Sequence, residues 1–151
     1  MTATKRPGFS EAAKTLNRVF QESDQRREET VTFSNHPLHD QLIDVFLQGS
    51  VARRQDDDSE PIDRNTIMIA KLLVESLPKA YQTPTISGEP DGHVNIEWFV
   101  HPRRILSVSV NPNGLLHWAA LIGEEDPRGS CRFFGEMPKT LHYWIARVCK
   151  G

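Results

Sequence analysis

The polar side chains of three predicted strands have the residue types of a hydrolytic site. Glu97, Ser107, Ser109 and His117 alternate with apolar residues, so they should share one polar face of a sheet. Serine hydrolases activate a serine hydroxyl with a histidine that a carboxylate orients. However, the chain has no G-x-S-x-G turn, and these serines lie in the middle of strands. We therefore treat the four residues as candidate binding residues and assign no catalytic residue.

The acidic loop at 123–129, with the sequence GEEDPRG, is a second candidate site. Glu124, Glu125 and Asp126 are adjacent carboxylates that could bind a cation or a partner. Loops carry functional residues more often than strands do. An acidic connection that leaves a strand is also commonly just hydrated, and both interpretations stay open.

Metal-ligating residue types also occur in the first half of the chain. His36, His39 and Asp40 lie at the start of a predicted helix, where positions i and i+3 could share a metal. The sequence marks no third ligand for them. The aspartates in 55–61 lack the spaced ligands and the glycine of an EF-hand loop. We therefore predict neither a metal site nor a cofactor.

The composition is that of a single globular domain. The 151 residues include 38% hydrophobic and 25% charged residues, with a formal net charge of −2. Lys and Arg never occur more than two in a row, so we expect no nucleic-acid surface. No apolar run approaches the roughly 20 residues of a membrane span, and the first residues lack the apolar segment of a secretory signal.

The cysteines point to the cellular compartment. Cys131 and Cys149 form no C-x-x-C pair, and we expect them to be reduced thiols rather than a disulfide. The predicted location is the cytoplasm.

The first 80 residues have the apolar spacing of helices. One helix is predicted over 9–20, a second from His36 to a stop at Gly49, and a third from about Ile62 to Leu77, before Pro78. Residues 50–61 have almost nothing to bury, so we expect a mobile acidic loop there. The predicted apolar stripe of the third helix is Ile67, Met68, Ile69, Leu72, Leu73, Val74 and Leu77.

Residues 83–151 should form an antiparallel sheet and a C-terminal helix. Apolar and polar residues alternate along the predicted strands, and the turns between them fix the register. Pro112 and Asn113 should form a type I turn, followed by Gly114 in the left-handed conformation. A shift by one residue would turn a strand inside out. The predicted pairs are Val110 with Leu116, Val108 with Trp118, Leu106 with Ala120, Glu97 with Ser107, and Ser109 with His117.

The sequence PDG at 90–92 repeats this turn. Asp91 should bond to its own backbone and reverse the chain, rather than bind a metal or a phosphate. We thus predict an α+β fold: N-terminal helices, a four- to five-stranded antiparallel meander, and a C-terminal helix starting at Pro138. The third and last helices should cover the apolar sheet face, which contains Ile96, Trp98, Leu106, Val108, Leu116 and Trp118.

The second half also resembles a family of small uncharacterised bacterial α+β proteins. The shared motifs are PDG, IEW, LSVSV, NG, LIGEE and FFGEMP, and they cover residues 84 to about 148. These motifs describe turns and strands. The resemblance therefore implies a fold, and it implies no activity, cofactor or catalytic residue.

The leading hypothesis for function is a non-catalytic binding or protein-interaction module, with a protein partner or a second copy of the chain. It rests on the lack of a nucleophile motif, a metal cluster, a phosphate loop or a basic face in the sequence. The alternative is a small hydrolase or metal-dependent enzyme that uses the polar sheet face or the acidic loop.

Overall fold

A computed structural model describes residues 36–55, Asp58 and 60–150, and these residues form an α+β fold. The five antiparallel strands follow one another in the sheet in chain order, so the predicted meander is confirmed. The helix predicted over 9–20 lies outside the described residues. The elements are α1 (His36–Gln55), α2 (Arg64–Glu75), β1 (Thr85–Gly88), β2 (Val94–His101), β3 (Arg104–Val110), β4 (Leu115–Ile122), β5 (Arg128–Arg132) and α3 (Lys139–Lys150).

The strand register is the predicted one. Val108 lies opposite Trp118 and Ile96 lies opposite Val108, so that apolar residues meet across β2, β3 and β4. On the other face, Glu97 lies opposite Ser107 and Ser109 lies opposite His117. The fifth strand of the predicted four- to five-stranded meander is β5, which pairs with β4.

Both glycine turns have the predicted conformation. Gly92 and Gly114 have φ angles of 85° and 78°, in the left-handed region that other residues avoid. The amide of Gly114 donates to Asn111 O at 3.2 Å, and the amide of Gly92 donates to Glu89 O at 3.0 Å. Asp91 Oδ1 accepts the backbone N–H of His93 at 3.0 Å, which is the local bond expected of a turn aspartate.

The apolar face of the sheet forms the core, and all three described helices contact the sheet. α2 and α3 pack on β2 and β3, as predicted, while α1 covers β1. Trp98 is 2% exposed and Trp118 is 9% exposed. The Trp98 indole N–H donates to Gln82 O at 3.1 Å, so its polar atom is paired inside the core.

Helix α1 is longer than predicted. It continues through Gly49 to Gln55, so the prediction that Gly49 ends it was wrong. A glycine inside a helix costs only about 1 kcal/mol relative to alanine, and the following Ala, Arg, Arg and Gln at 52–55 favour helix. The first part of the loop predicted at 50–61 is therefore helical.

Helix α2 begins and ends two residues inside the predicted bounds. Asp63 caps it, with its side chain accepting the backbone N–H of Asn65 at 2.6 Å. A capping carboxylate satisfies an amide that has no partner inside the helix, and this fixes the start at Arg64. Ser76 follows the last helical residue, so Pro78 lies beyond the end that it was expected to cause.

The buried stripe of α2 also differs from the prediction. Met68 and Leu72 are 36% and 38% exposed, whereas Lys71 is 1% exposed. The Lys71 ammonium pairs with Glu75, and His39 Nε2 lies 3.6 Å from Glu75 Oε1. A buried charge is tolerated when it has such partners. The buried face of α2 therefore includes Lys71, whereas the hydrophobic pattern predicted Met68 and Leu72 on that face.

The two turn glycines differ in the space that a side chain would have. The same substitution at both positions tests this difference. A Cβ at Gly114 would lie 3.6 Å from its nearest neighbour, Phe133 O, which is ordinary contact. A Cβ at Gly92 would lie 2.6 Å from Pro61 O, so the backbone must shift. Since asparagine tolerates positive φ, we expect Gly114→Asn to be mild and Gly92→Asn to cost a further 1–3 kcal/mol or so.

Urea unfolding followed by circular dichroism measures both free energies of unfolding. Equal losses at the two positions would contradict the contact between the β1–β2 turn and Pro61.

Candidate functional site

The polar face is defined here by Asn95, Glu97, Ser107, Ser109 and His117, and the structure brings these residues together without forming a hydrolytic pair. Ser107 Oγ donates to Asn95 Oδ1 at 2.6 Å, and Ser109 Oγ donates to Glu89 Oε2 at 2.8 Å. The Ser109 hydroxyl is therefore bonded to a carboxylate rather than to His117. Glu97 lies across from Ser107, one row away from that histidine.

Part of the polar face is a shallow, open cavity of about 470 Å³. Ser107, Ser109, His117, Arg128 and Ser130 contribute its polar side chains. These are short groups on β3, β4 and β5, with one cation at the rim. The described lining of the cavity therefore offers hydrogen-bonding groups but no cluster of charged side chains.

A second cavity, of about 570 Å³, lies where the β2–β3 connection, the end of β4 and the last turns of α3 meet. Four cationic side chains line it, namely Arg103, Arg104, Arg147 and Lys150. We call this cavity the basic cleft. Its other lining residues are His101, Ile122, Gly123, Tyr143 and Ala146.

The β2–β3 connection and the acidic loop hold one wall of the basic cleft. The amide of Gly123 donates to Arg103 O at 2.9 Å, and Arg103 Nη1 donates to Gly123 O at 3.2 Å. Arg103 Nη1 also donates to Glu124 Oε1 at 2.8 Å. Gly123 has a φ of 63°, a conformation that lets the chain turn away from β4 next to Arg103.

α3 forms the other wall of the cleft, and aromatic side chains of this helix contact Arg147. The guanidinium carbon of Arg147 lies 5.4 Å from the Trp144 ring centre and 6.0 Å from that of Tyr143. Arg147 Nη1 also lies 3.3 Å from Glu125 Oε2. Trp144 in turn packs on Trp118 at 5.1 Å between ring centres, which connects these side chains to the core. The arginine is thus held in place by rings as well as by a carboxylate.

Arg104 connects the two walls. Its Nη2 donates to Val148 O, near the C-terminus of α3, where backbone carbonyls lack helical partners. Its Nε is buried and has no hydrogen-bond partner among the described residues. The Lys150 Nζ lies 5.0 Å from the centre of the Tyr81 ring.

The predicted acidic residues border the basic cleft. Glu124 and Glu125 each pair with a cleft arginine, while Asp126 lies 3.7 Å from Arg128. Among the described residues, two carboxylates therefore pair with cations of the cleft, which has four, and this leaves an excess of positive charge. The cleft could not be predicted from the sequence, because Arg104 and its contact Val148 are 44 positions apart. Two features of the sequence could have indicated parts of the cleft. One is the basic HPRR segment at 101–104, and the other is the spacing of Tyr143, Arg147 and Lys150, which places them on one face of a helix.

Of the two histidines that the sequence offered as possible metal ligands at the start of α1, the structure describes the side chain of His39. His39 is directed to Glu75, and the side chain of His36 lies outside the described part of the chain. Within that part, the potential metal-ligating atoms that come together belong to Glu89, Asp91 and His93.

No protein-family model, curated protein or solved structure matches this chain. Fold and site together define an α+β protein with a basic cleft at one end of its sheet. None of the described helices combines the length and apolar character that a membrane span needs.

The two neighbouring arginines of the basic cleft should differ in their effect on stability. Arg104 is largely shielded and bonded to the end of α3, whereas the side chain of Arg103 is 59% exposed. We expect Arg104→Ala to lower the free energy of unfolding by roughly 1.5–3 kcal/mol, because a charged hydrogen bond is lost. Arg103→Ala is the control, and it should change the free energy by less than about 0.5 kcal/mol.

Thermal and urea unfolding of both variants measures the difference. Equal effects would show that Arg104 does not hold the helix end.

Proposed function

We propose that this chain is a non-catalytic protein-interaction module whose basic cleft binds an acidic segment of a partner protein. One observation carries the proposal: four cationic side chains from the β2–β3 hairpin and from α3 converge on one open cleft. Complementary charge across an interface speeds association and selects the partner.

The shape and composition of the basic cleft favour a protein partner over a small molecule. Sites for small molecules usually enclose most of the ligand, whereas this cleft is open along one side. Arginine and tyrosine dominate the energetics of protein interfaces, and here Arg147 packs beside Tyr143, which is 53% exposed. A partner carrying a carboxylate next to an aromatic or apolar residue fits this arrangement.

The carboxylates at the rim do not block such a partner. The side chains of Glu124 and Glu125 are 90% and 62% exposed. Ion pairs between exposed side chains contribute between zero and about 1 kcal/mol. A partner carboxylate therefore displaces these glutamates from Arg103 and Arg147 at little cost. The two glutamates keep the arginines oriented before the partner arrives.

The Ser109 hydroxyl and the two cysteine thiols support a non-catalytic role. The Ser109 hydroxyl is bonded to Glu89. Burial raises the pKa of the Cys131 thiol, and it also raises the pKa of the Cys149 thiol against the opposing effects of a backbone hydrogen bond at Gln82 and the charge of Arg104. Thiols with raised pKa values are poor nucleophiles. Both cysteines are free, which supports the reducing cytoplasm as the proposed location.

Charge reversal inside and outside the basic cleft tests the proposal. The probe is a short peptide in which glutamates flank a phenylalanine, and the readout is its affinity measured by Trp fluorescence and calorimetry. We expect Arg147→Glu and Arg103→Glu each to weaken binding by about ten-fold or more, and added salt to weaken it further.

Arg132→Glu is the matched control, because this exposed arginine lies on β5 at the other end of β4. It should leave the affinity unchanged, and a peptide with glutamine in place of glutamate should not bind. Equal losses for Arg132→Glu and Arg147→Glu would reduce the interaction to non-specific charge and would overturn the proposal.

A further inference from the structure

We propose a divalent metal site at the β1–β2 turn, with Glu89, Asp91 and His93 as its ligands. One ligand atom from each residue lies within 4.8 Å of the other two. The turn is at the opposite end of β2 from His101, which lines the basic cleft, so this site does not depend on the function proposed for the cleft.

The distance between the Asp91 and His93 side chains fits a shared ion. Asp91 Oδ2 lies 3.3 Å from His93 Nδ1. Ligands that each lie about 2.0–2.2 Å from one zinc ion are roughly 3–4 Å apart in a tetrahedral arrangement. The Glu89 ligand atom lies within 4.8 Å of those of Asp91 and His93, so a side-chain rotation is needed to bring it onto the same ion.

The turn also holds these ligands in position before any metal binds. The amide of Glu89 donates to His93 O at 2.9 Å, which closes the hairpin, and the amide of Glu60 donates to Pro90 O at 2.9 Å, which ties the turn to the segment before α2. Asp91 Oδ1 accepts the His93 amide, so the carboxylate is fixed and presents Oδ2 to the imidazole. A fixed site loses less conformational entropy on binding.

Ser109 supports the site from β3. Its hydroxyl donates to Glu89 Oε2 at 2.8 Å and lies 3.5 Å from His93 Nδ1. Groups that hydrogen-bond to ligating carboxylates orient them and strengthen metal binding. The same bond that keeps Ser109 from acting as a nucleophile thus aligns a ligand.

The ligand set selects the class of ion. One imidazole nitrogen and two carboxylates suit Zn²⁺ or Mn²⁺, whereas Ca²⁺ requires six to eight oxygen ligands. Three protein ligands leave coordination positions for water or for a further ligand. His93 is 29% exposed and Asp91 is 60% exposed, so an ion reaches the site from solvent.

Calorimetric titration with Zn²⁺ alone, in a buffer that does not chelate it, tests the site in the full chain. We expect one equivalent to bind, and His93→Ala and Asp91→Asn each to weaken binding by about ten-fold or more. Asp91→Asn keeps the oxygen that accepts the His93 amide, so it removes a ligand charge without removing the turn bond. Circular dichroism verifies that each variant is folded.

His142→Ala is the control, because this exposed histidine lies on α3, which packs on the opposite face of the sheet from Ser109. It should bind Zn²⁺ as the natural sequence does, and the imidazole NMR signals of His93 should shift during the titration. Zn²⁺ binding that survives both His93→Ala and Asp91→Asn would overturn the site. Failure of the natural sequence to bind one equivalent at a Zn²⁺ concentration of about 1 mM, where a specific site is saturated, would overturn it as well.

Discussion

The register that the left-handed glycines at positions 92 and 114 impose is the constraint on which the rest of the structure depends. Side chains alternate along a strand, so a shift of one residue would exchange the two faces of the sheet. In the observed register, Trp98 and Trp118 face the helices, while Ser109 and His117 share the other face. Core and polar face are therefore two consequences of the same turns.

This register also explains why both proposed sites lie at the ends of the sheet. Mid-strand residues use their backbone groups in the ladder and expose only alternate side chains, whereas the connections bring side chains from several elements to one place. One end joins the β2–β3 turn, the loop after β4 and the end of α3. The other end holds the β1–β2 turn, clamped by the segment before α2. The two proposed sites therefore lie at opposite ends of β2.

The sequence allowed the sheet to be predicted in detail, because alternation and turn residues are local signals. The helices were predicted less well, since the buried face of a helix depends on what covers it. Lys71 can be buried because its ammonium pairs with Glu75. A hydrophobic pattern gives no indication of such a pair. The basic cleft depends on contacts between distant segments. Asp91 was correctly predicted as a turn residue, yet that role did not reveal that the turn would place it beside His93 and Glu89.

Chemical-shift mapping by NMR tests the central claim most directly, because it locates the contact on the folded chain. Labelled protein would be titrated with the glutamate–phenylalanine peptide while the backbone amide signals are followed. If an acidic segment binds in the basic cleft, the shifts should concentrate at Arg103, Gly123 and Tyr143, and in the last turns of α3. Shifts confined to the polar face around Ser109 and His117, or spread evenly over the surface, would contradict it.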